Sequence, residues 1–123
     1  MSYTAFGHRC GAGEGHKQKG LGMTMNKKIK TEAVDRLFDA ILCLQSKEEC
    51  YIFFEDLCTV NELLSLSQRF EVASMLDDHK TYLEIAEKTG ASTATISRVN
   101  RSLNYGNDGY DMVFKRMEPP KSE

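Results

Sequence analysis

A repeated helix-start signal restricts the fold of this chain more than any other sequence feature. Three segments, 46–49, 59–62 and 81–84, begin with Ser or Thr and end three residues later with Glu. In such a capping box the hydroxyl and the carboxylate each accept a hydrogen bond from a backbone N–H that the first helical turn leaves unpaired. Apolar residues follow each box at spacings of three and four, and the only prolines are residues 119 and 120. The sequence therefore predicts an all-α fold.

The apolar spacing predicts about six helices and no strand. Thr31 is the expected start of the first helix, and the three boxes open the next three. Ser92 is the expected start of a fifth helix, which runs to about Leu103. Residues 104–109 have the composition of a turn, and a short last helix is predicted over 110–117.

The first 24 residues differ in composition from the rest of the chain. They contain six of the nine glycines and two of the three histidines, with no helical apolar pattern. Such a segment cannot bury enough surface to offset the entropy lost on ordering. We therefore predict a disordered leader or tag over 1–24, a domain over 25–118 that begins at Met25, and a tail over 119–123.

The overall charge excludes a uniformly basic coat for nucleic acid. The whole chain has 16 basic and 18 acidic residues, a net charge of −2. The segment 1–24 holds three of the basic and one of the acidic groups, so the other 99 residues have a net charge of −4. A nucleic-acid surface would have to be local. No apolar run approaches the roughly 20 residues that a membrane-spanning helix needs, and no membrane contact is predicted.

Residues 82–101 match the pattern of a helix-turn-helix. Ala86 is a small residue where the two helices would cross, and Ile85 is the buried position beside it. Gly90 follows four residues after Ala86, where the turn requires a positive φ. Ile96 and Val99 are branched apolar residues on one face of the second helix, as its packing requires.

The second helix of this motif has the charge expected of a DNA-binding surface. No Asp or Glu lies between Lys88 and Asn107, and Arg98 and Arg101 add positive charge. Phosphates repel carboxylates and attract these cations. We expect the cations to contact phosphates or the groove, and the small polar residues to contact bases. The predicted DNA-binding residues are Lys80, Tyr82, Lys88, Ser92, Thr93, Ala94, Thr95, Ser97, Arg98 and Arg101.

The motif also carries a family resemblance. The segment EIAEKTGASTATISR at 84–98, followed by Ser102 and Leu103, resembles the Trp repressor superfamily, and within it the YerC/YecD-type proteins, over about residues 30–117. The resemblance implies an all-α dimer with interlocked N-terminal helices. It implies a bacterial, cytoplasmic, DNA-binding regulator that reads a near-palindromic operator. It also places Thr93, Ala94, Thr95 and Ser97 opposite the base edges.

The same resemblance bears on small-molecule sensing. Arg98 matches an arginine that contacts the tryptophan corepressor, but Val99 stands where the repressor has a glycine that leaves room for the indole ring. The second corepressor arginine aligns with Gln68, beside Arg69. We therefore predict no response to tryptophan. The alternative is a regulator that senses a different small molecule, with a pocket formed by Gln68, Arg69, Arg98, Val99 and Ser102.

Other functional classes have little support in the sequence. Cys43, Cys50 and Cys58 are not accompanied by the paired Cys or His spacing of a zinc site. No nucleophile has a base at motif spacing, and there is no phosphate-binding loop. We predict no enzyme activity, no cofactor and no metal. The alternative from another class is a helical protein-interaction module that retains the hairpin without binding DNA.

Overall fold

The computed structural model of the protein describes residues 27–117, and this range is helical without strands. The predicted all-α fold is confirmed. The predicted leader over 1–24 and tail over 119–123 lie outside the described residues. The helices are α1 (Glu32–Ile41), α2 (Lys47–Leu57), α3 (Val60–Asp77), α4 (Tyr82–Thr89), α5 (Thr93–Tyr105) and α6 (Gly109–Met117).

Most of the predicted helix starts are confirmed by capping bonds. The side chains of Thr31, Thr59, Thr81 and Ser92 each accept a backbone N–H at the N-terminus of a helix. The box at Thr59 is reciprocal, because the Glu62 carboxylate accepts the Thr59 N–H at 2.9 Å.

Two local predictions need correction. At the start of α2 the Ser46 hydroxyl accepts the Glu49 N–H, but the Glu49 carboxylate accepts the N–H of Gln45 instead of that of Ser46. The box is therefore not reciprocal. Helix α5 continues to Tyr105, and α6 begins at Gly109, so the predicted turn over 104–109 shrinks to residues 106–108.

The chain divides after Leu57 into two compact units. The first unit contains α1 and α2, and none of its described residues is buried. Five of its large apolar side chains are more than half exposed: Ile29, Phe38, Leu42, Tyr51 and Ile52. The second unit contains α3 to α6 and has a core of its own.

The core of the second unit joins the helix-turn-helix to α3. Its buried side chains are Val72, Ala73, Ile85, Ala91, Ile96 and Val99. Tyr110 and Phe114 of α6 pack against this cluster and against Phe70 of α3, with ring centroids 5.3–6.3 Å apart. Helices α4 and α5 therefore lie on a packed support and do not form an isolated hairpin.

Candidate nucleic-acid interface

Helices α4 and α5 form the predicted helix-turn-helix, joined by residues 90–92. Gly90 has φ +77° and ψ 7°, the left-handed conformation that a residue with a Cβ adopts only at a cost. Its N–H donates to the Ala86 carbonyl at 2.9 Å, which closes the last turn of α4. The predicted positive φ at Gly90 is confirmed. Ile85, Ile96 and Val99 are buried as predicted, whereas Ala86 is half-buried.

The turn is held by side chains that the sequence analysis did not assign to it. The Thr89 hydroxyl donates to the Ile85 carbonyl at 2.7 Å and accepts the Ala91 N–H at 3.1 Å. From α3, the Gln68 side-chain amide donates to the Thr89 carbonyl at 3.2 Å. Ala91 is itself buried in the core. The dipeptide Thr89-Gly90 is typical of such a helix end, but nothing in the sequence predicted that Gln68 contacts Thr89.

The start of α4 is fixed by a reciprocal capping box. The Thr81 hydroxyl accepts the Glu84 N–H, and the Glu84 carboxylate accepts the Thr81 N–H at 2.9 Å. This backbone hydrogen bond is the main reason that the pKa of Glu84 lies below its ordinary value, and the positive charge of Lys80 acts in the same direction. The Glu84 carboxylate, in the first turn of α4, is therefore hydrogen-bonded to Thr81 at the positive end of the helix dipole.

The N-terminus of α5 is capped by one of the predicted DNA-binding residues. The Ser92 hydroxyl accepts the Thr95 N–H at 3.1 Å and donates to the Thr95 hydroxyl at 3.2 Å. Thr95 is half-buried, so its side chain belongs in part to the cap. Thr93, Ala94 and Ser97 are exposed on α5, while Ile96 and Val99 point into the core.

The cations of the helix-turn-helix, and Lys80 just before it, are exposed and form no ion pair within residues 27–117. Arg98 and Arg101 are exposed on α5, and Lys80 and Lys88 are exposed near the two ends of α4. The two ion pairs within residues 27–117 lie elsewhere, before and within α1 and within α6. Tyr82, at the start of α4, is 37% exposed. Helix α5 has no carboxylate at all, since the acid-free stretch of the sequence covers it completely.

The residues predicted to form an effector pocket differ in burial. Gln68 and Arg69 are half-buried on α3, Arg98 and Ser102 are exposed on α5, and Val99 is 2% exposed within the core. The second unit does have an open depression of about 350 Å³. Gln68 is the only one of the five that lines it. The depression is lined by Leu64, Ser67, Gln68, Glu71 and Thr89.

Residues 27–117 contain no group of His, Cys, Asp and Glu side chains arranged to hold a metal ion. No helix in that part of the chain combines the length and the apolarity needed to cross a bilayer. Cys50 is exposed and Cys58 is half-buried, and both are free thiols.

Comparison with known proteins places the chain in a family. The family model for the Trp repressor protein matches residues 32–118, and the chain belongs to this family of regulators. The chain is 55% identical over 96 residues to the uncharacterized protein YerC of Bacillus subtilis (strain 168), a match that covers 78% of this chain and 92% of YerC.

Two solved structures are similar to this chain. A TrpR-like protein from Eubacterium eligens ATCC 27750 is 70% identical with a TM-score of 0.74, and the match covers 79% of this chain and all of that one. A candidate Trp repressor from Staphylococcus aureus is 55% identical with a TM-score of 0.75, and the match covers 80% of this chain and all of that one. The predicted resemblance to the Trp repressor superfamily and to YerC is confirmed.

Proposed function

We propose that this protein is a sequence-specific DNA-binding transcriptional regulator that acts as a homodimer through its helix-turn-helix. One observation carries the proposal. Helix α5 buries Ile96 and Val99 against α3 and turns outward a face with two unpaired arginines and no carboxylate. A helix supported on one side and cationic on the other fits the major groove.

The exposed residues divide by chemistry into two roles. Arg98, Arg101, Lys80 and Lys88 contact phosphates in this proposal, because none of them forms an ion pair within residues 27–117. Thr93, Ala94 and Ser97 are short enough to let α5 approach the base edges closely. Ser92 and Thr95 act mainly by fixing the N-terminus of α5 through their mutual hydrogen bond. In this proposal Tyr82, the first residue of α4, lies next to the phosphate backbone of the DNA.

The dimer is supported by the first unit. None of the described residues of α1 and α2 is buried, although Phe38, Leu42, Tyr51 and Ile52 are large and apolar. Two helices without a fully buried side chain gain little apolar burial to offset the entropy lost on ordering them. A second copy that covers these side chains supplies the missing apolar contact, as the family resemblance implies. Two copies then present two α5 helices to an operator with two-fold symmetry.

Independence from tryptophan is supported by Val99. Its side chain occupies the core at 2% exposure, at the position where the family resemblance expects a glycine and an open pocket. An indole ring would have to displace a packed valine. As a DNA-binding regulator of a bacterial family, the protein works in the cytoplasm, where the DNA is.

The test is a fluorescence-anisotropy titration of duplex DNA at several salt concentrations. The duplex is the fragment most enriched when the full chain selects from sheared genomic DNA, and mixed-sequence duplex is the competitor. Arg98→Ala with Arg101→Ala removes two phosphate contacts per protomer. We expect weaker binding and a salt slope flatter by about 1.8 per bound protomer. Addition of L-tryptophan is expected to leave the affinity unchanged.

The matched control is Lys115→Ala with Arg116→Ala, which removes the same charge from exposed positions of α6. This control is expected to keep the wild-type salt slope. Equal affinity and equal slope for the α5 variant and the wild type would refute the assignment of the interface. A wild-type chain that selects no fragment would favour the protein-interaction module instead.

A further inference from the structure

The side-chain hydrogen bond from Gln68 to Thr89 joins residues farther apart in sequence than any other side-chain hydrogen bond within residues 27–117. Within residues 27–117, every other side-chain hydrogen bond joins residues no more than five positions apart. The Gln68 amide reaches 21 positions along the chain, from α3 to the Thr89 carbonyl. It is therefore the one directional polar link between α3 and the helix-turn-helix in this range.

The carbonyl that Gln68 contacts is one that needs a partner. Thr89 is the last residue of α4, and the last four carbonyls of a helix have no N–H partner within it. Both Gln68 and Thr89 are half-buried, so water can only partly replace the amide. An unsatisfied carbonyl at this position would carry a desolvation cost.

The link continues from Thr89 into the turn. The Thr89 hydroxyl holds the Ala91 N–H and the Ile85 carbonyl, and Ala91 leads directly into the cap of α5. The apolar core presses α5 onto α3, but apolar burial is not directional and tolerates small rotations. A hydrogen bond has a preferred angle and distance, so it selects one orientation among those that the core allows.

We propose that Gln68 is a positioning residue, which holds the turn of the helix-turn-helix against α3 through Thr89 and thereby sets the orientation in which α5 meets DNA. This inference rests on the proposed function. Gln68 has no contact with DNA in this proposal. It acts through Thr89 and the turn, and it does so without a bound small molecule.

The depression beside Gln68 offers a rival interpretation, in which the amide serves a ligand. The structure favours positioning, because the amide already donates to Thr89 within the protein. Ser67 lines the same depression and is exposed, and its hydroxyl makes no hydrogen bond within residues 27–117. Ser67→Ala therefore serves as a matched control, since it alters the depression and leaves the link to Thr89 intact.

The experiment compares Gln68→Leu, Ser67→Ala and the wild type in two measurements. Leucine keeps the apolar stem of Gln68 and removes the donor. In amide hydrogen exchange we expect the Gly90 and Ala91 amides to exchange about fivefold faster in Gln68→Leu, with the Val72 amide in α3 unchanged. In the anisotropy titration we expect about fivefold weaker binding of the selected duplex and an unchanged salt slope, because the phosphate contacts remain.

A purely structural role would produce a different pattern, with faster exchange at Val72 as well as in the turn. That pattern would overturn the proposal, as would wild-type exchange at Gly90 and Ala91 in Gln68→Leu. Faster exchange with wild-type DNA affinity would overturn the positioning role. Equal losses in Ser67→Ala would favour a ligand site. If the wild type binds no duplex, the proposed function fails, and the exchange result still decides whether Gln68 holds the turn.

Discussion

The two units of this chain have helices with similar sequence patterns, but only the second unit has buried side chains among its described residues. Both start most of their helices with Ser or Thr caps, and both place large apolar residues at helical spacing. In the second unit these residues meet each other and form a buried core, whereas in the first unit none of the described residues is buried. The difference shows that an amphipathic pattern specifies which face of a helix is apolar, but not which surface covers that face.

Isoleucine illustrates the difference between the units. Ile85 and Ile96 in the second unit are completely buried, while Ile52 on α2 is 64% exposed. The second unit buries these two isoleucines within one chain, although other apolar side chains of this unit, such as Val60 and Leu83, stay exposed. The first unit leaves Ile52 exposed within one chain, and the proposed homodimer would cover it.

The largest effect is expected from Ile96→Ala in the core of the second unit. The substitution removes buried methyl and methylene groups and leaves a cavity between α5 and α3, which should lower the free energy of unfolding by about 2–5 kcal/mol. Urea unfolding followed by circular dichroism measures the loss. A loss below about 1 kcal/mol would show that the cluster around Ile96 relaxes to fill the space, unlike a packed core.

A smaller effect is expected from Ile52→Ala, with Leu83→Ala as its matched control in the other unit. The two side chains have similar exposure within one chain, 64% for Ile52 and 70% for Leu83. If a second copy covers α2, Ile52→Ala should cost about 1.5–3 kcal/mol and make dimerisation weaker. Leu83→Ala should change stability by no more than about 0.5 kcal/mol.

Sedimentation equilibrium and urea unfolding at several protein concentrations distinguish these outcomes. A dimer that buries Ile52 makes the unfolding midpoint of the wild type rise with concentration. Equal, small effects of the two substitutions, with a monomeric wild type at all concentrations, would contradict the difference drawn between the units.

The smallest effect is expected from Gly90→Ala in the turn of the second unit. A Cβ at Gly90 would meet no atom within 4 Å, so the cost comes only from the left-handed backbone and should be about 1 kcal/mol. Gly109→Ala is the control, because its Cβ also meets nothing and its backbone is ordinary. That substitution should stabilise α6 by about 0.5 kcal/mol. Thermal unfolding of both variants measures the contrast, and equal shifts would contradict it.

The candidate site shows how far sequence reasoning extends. The capping residues Thr81 and Ser92 and the turn residue Gly90 were predictable, because their bonds and strain involve neighbours within four positions. The absence of carboxylates from α5 was visible by simple reading. The burial of Val99 also followed from its spacing to Ile96.

Other features depended on residues far apart in the chain. Ala91 looks like an ordinary loop residue in the sequence, yet it is buried because α3 lies over the turn. The sequence did not show that Thr95, predicted to read bases, is half-buried and accepts a hydrogen bond from the Ser92 hydroxyl. The contact of the Gln68 amide with the Thr89 carbonyl, 21 positions away, was not predicted from the sequence.

Local chemistry in the sequence therefore determined the helices, the turn at Gly90 and the charge of the exposed face of α5, since hydroxyl caps, backbone strain and composition act over a few residues. The tertiary structure decided which apolar residues form a core and which stay exposed in a single chain. It also decided that Gln68 and Thr89 meet across 21 positions. Burial and long-range hydrogen bonds depend on which helices come together, and the spacing of residues within one helix does not encode that choice.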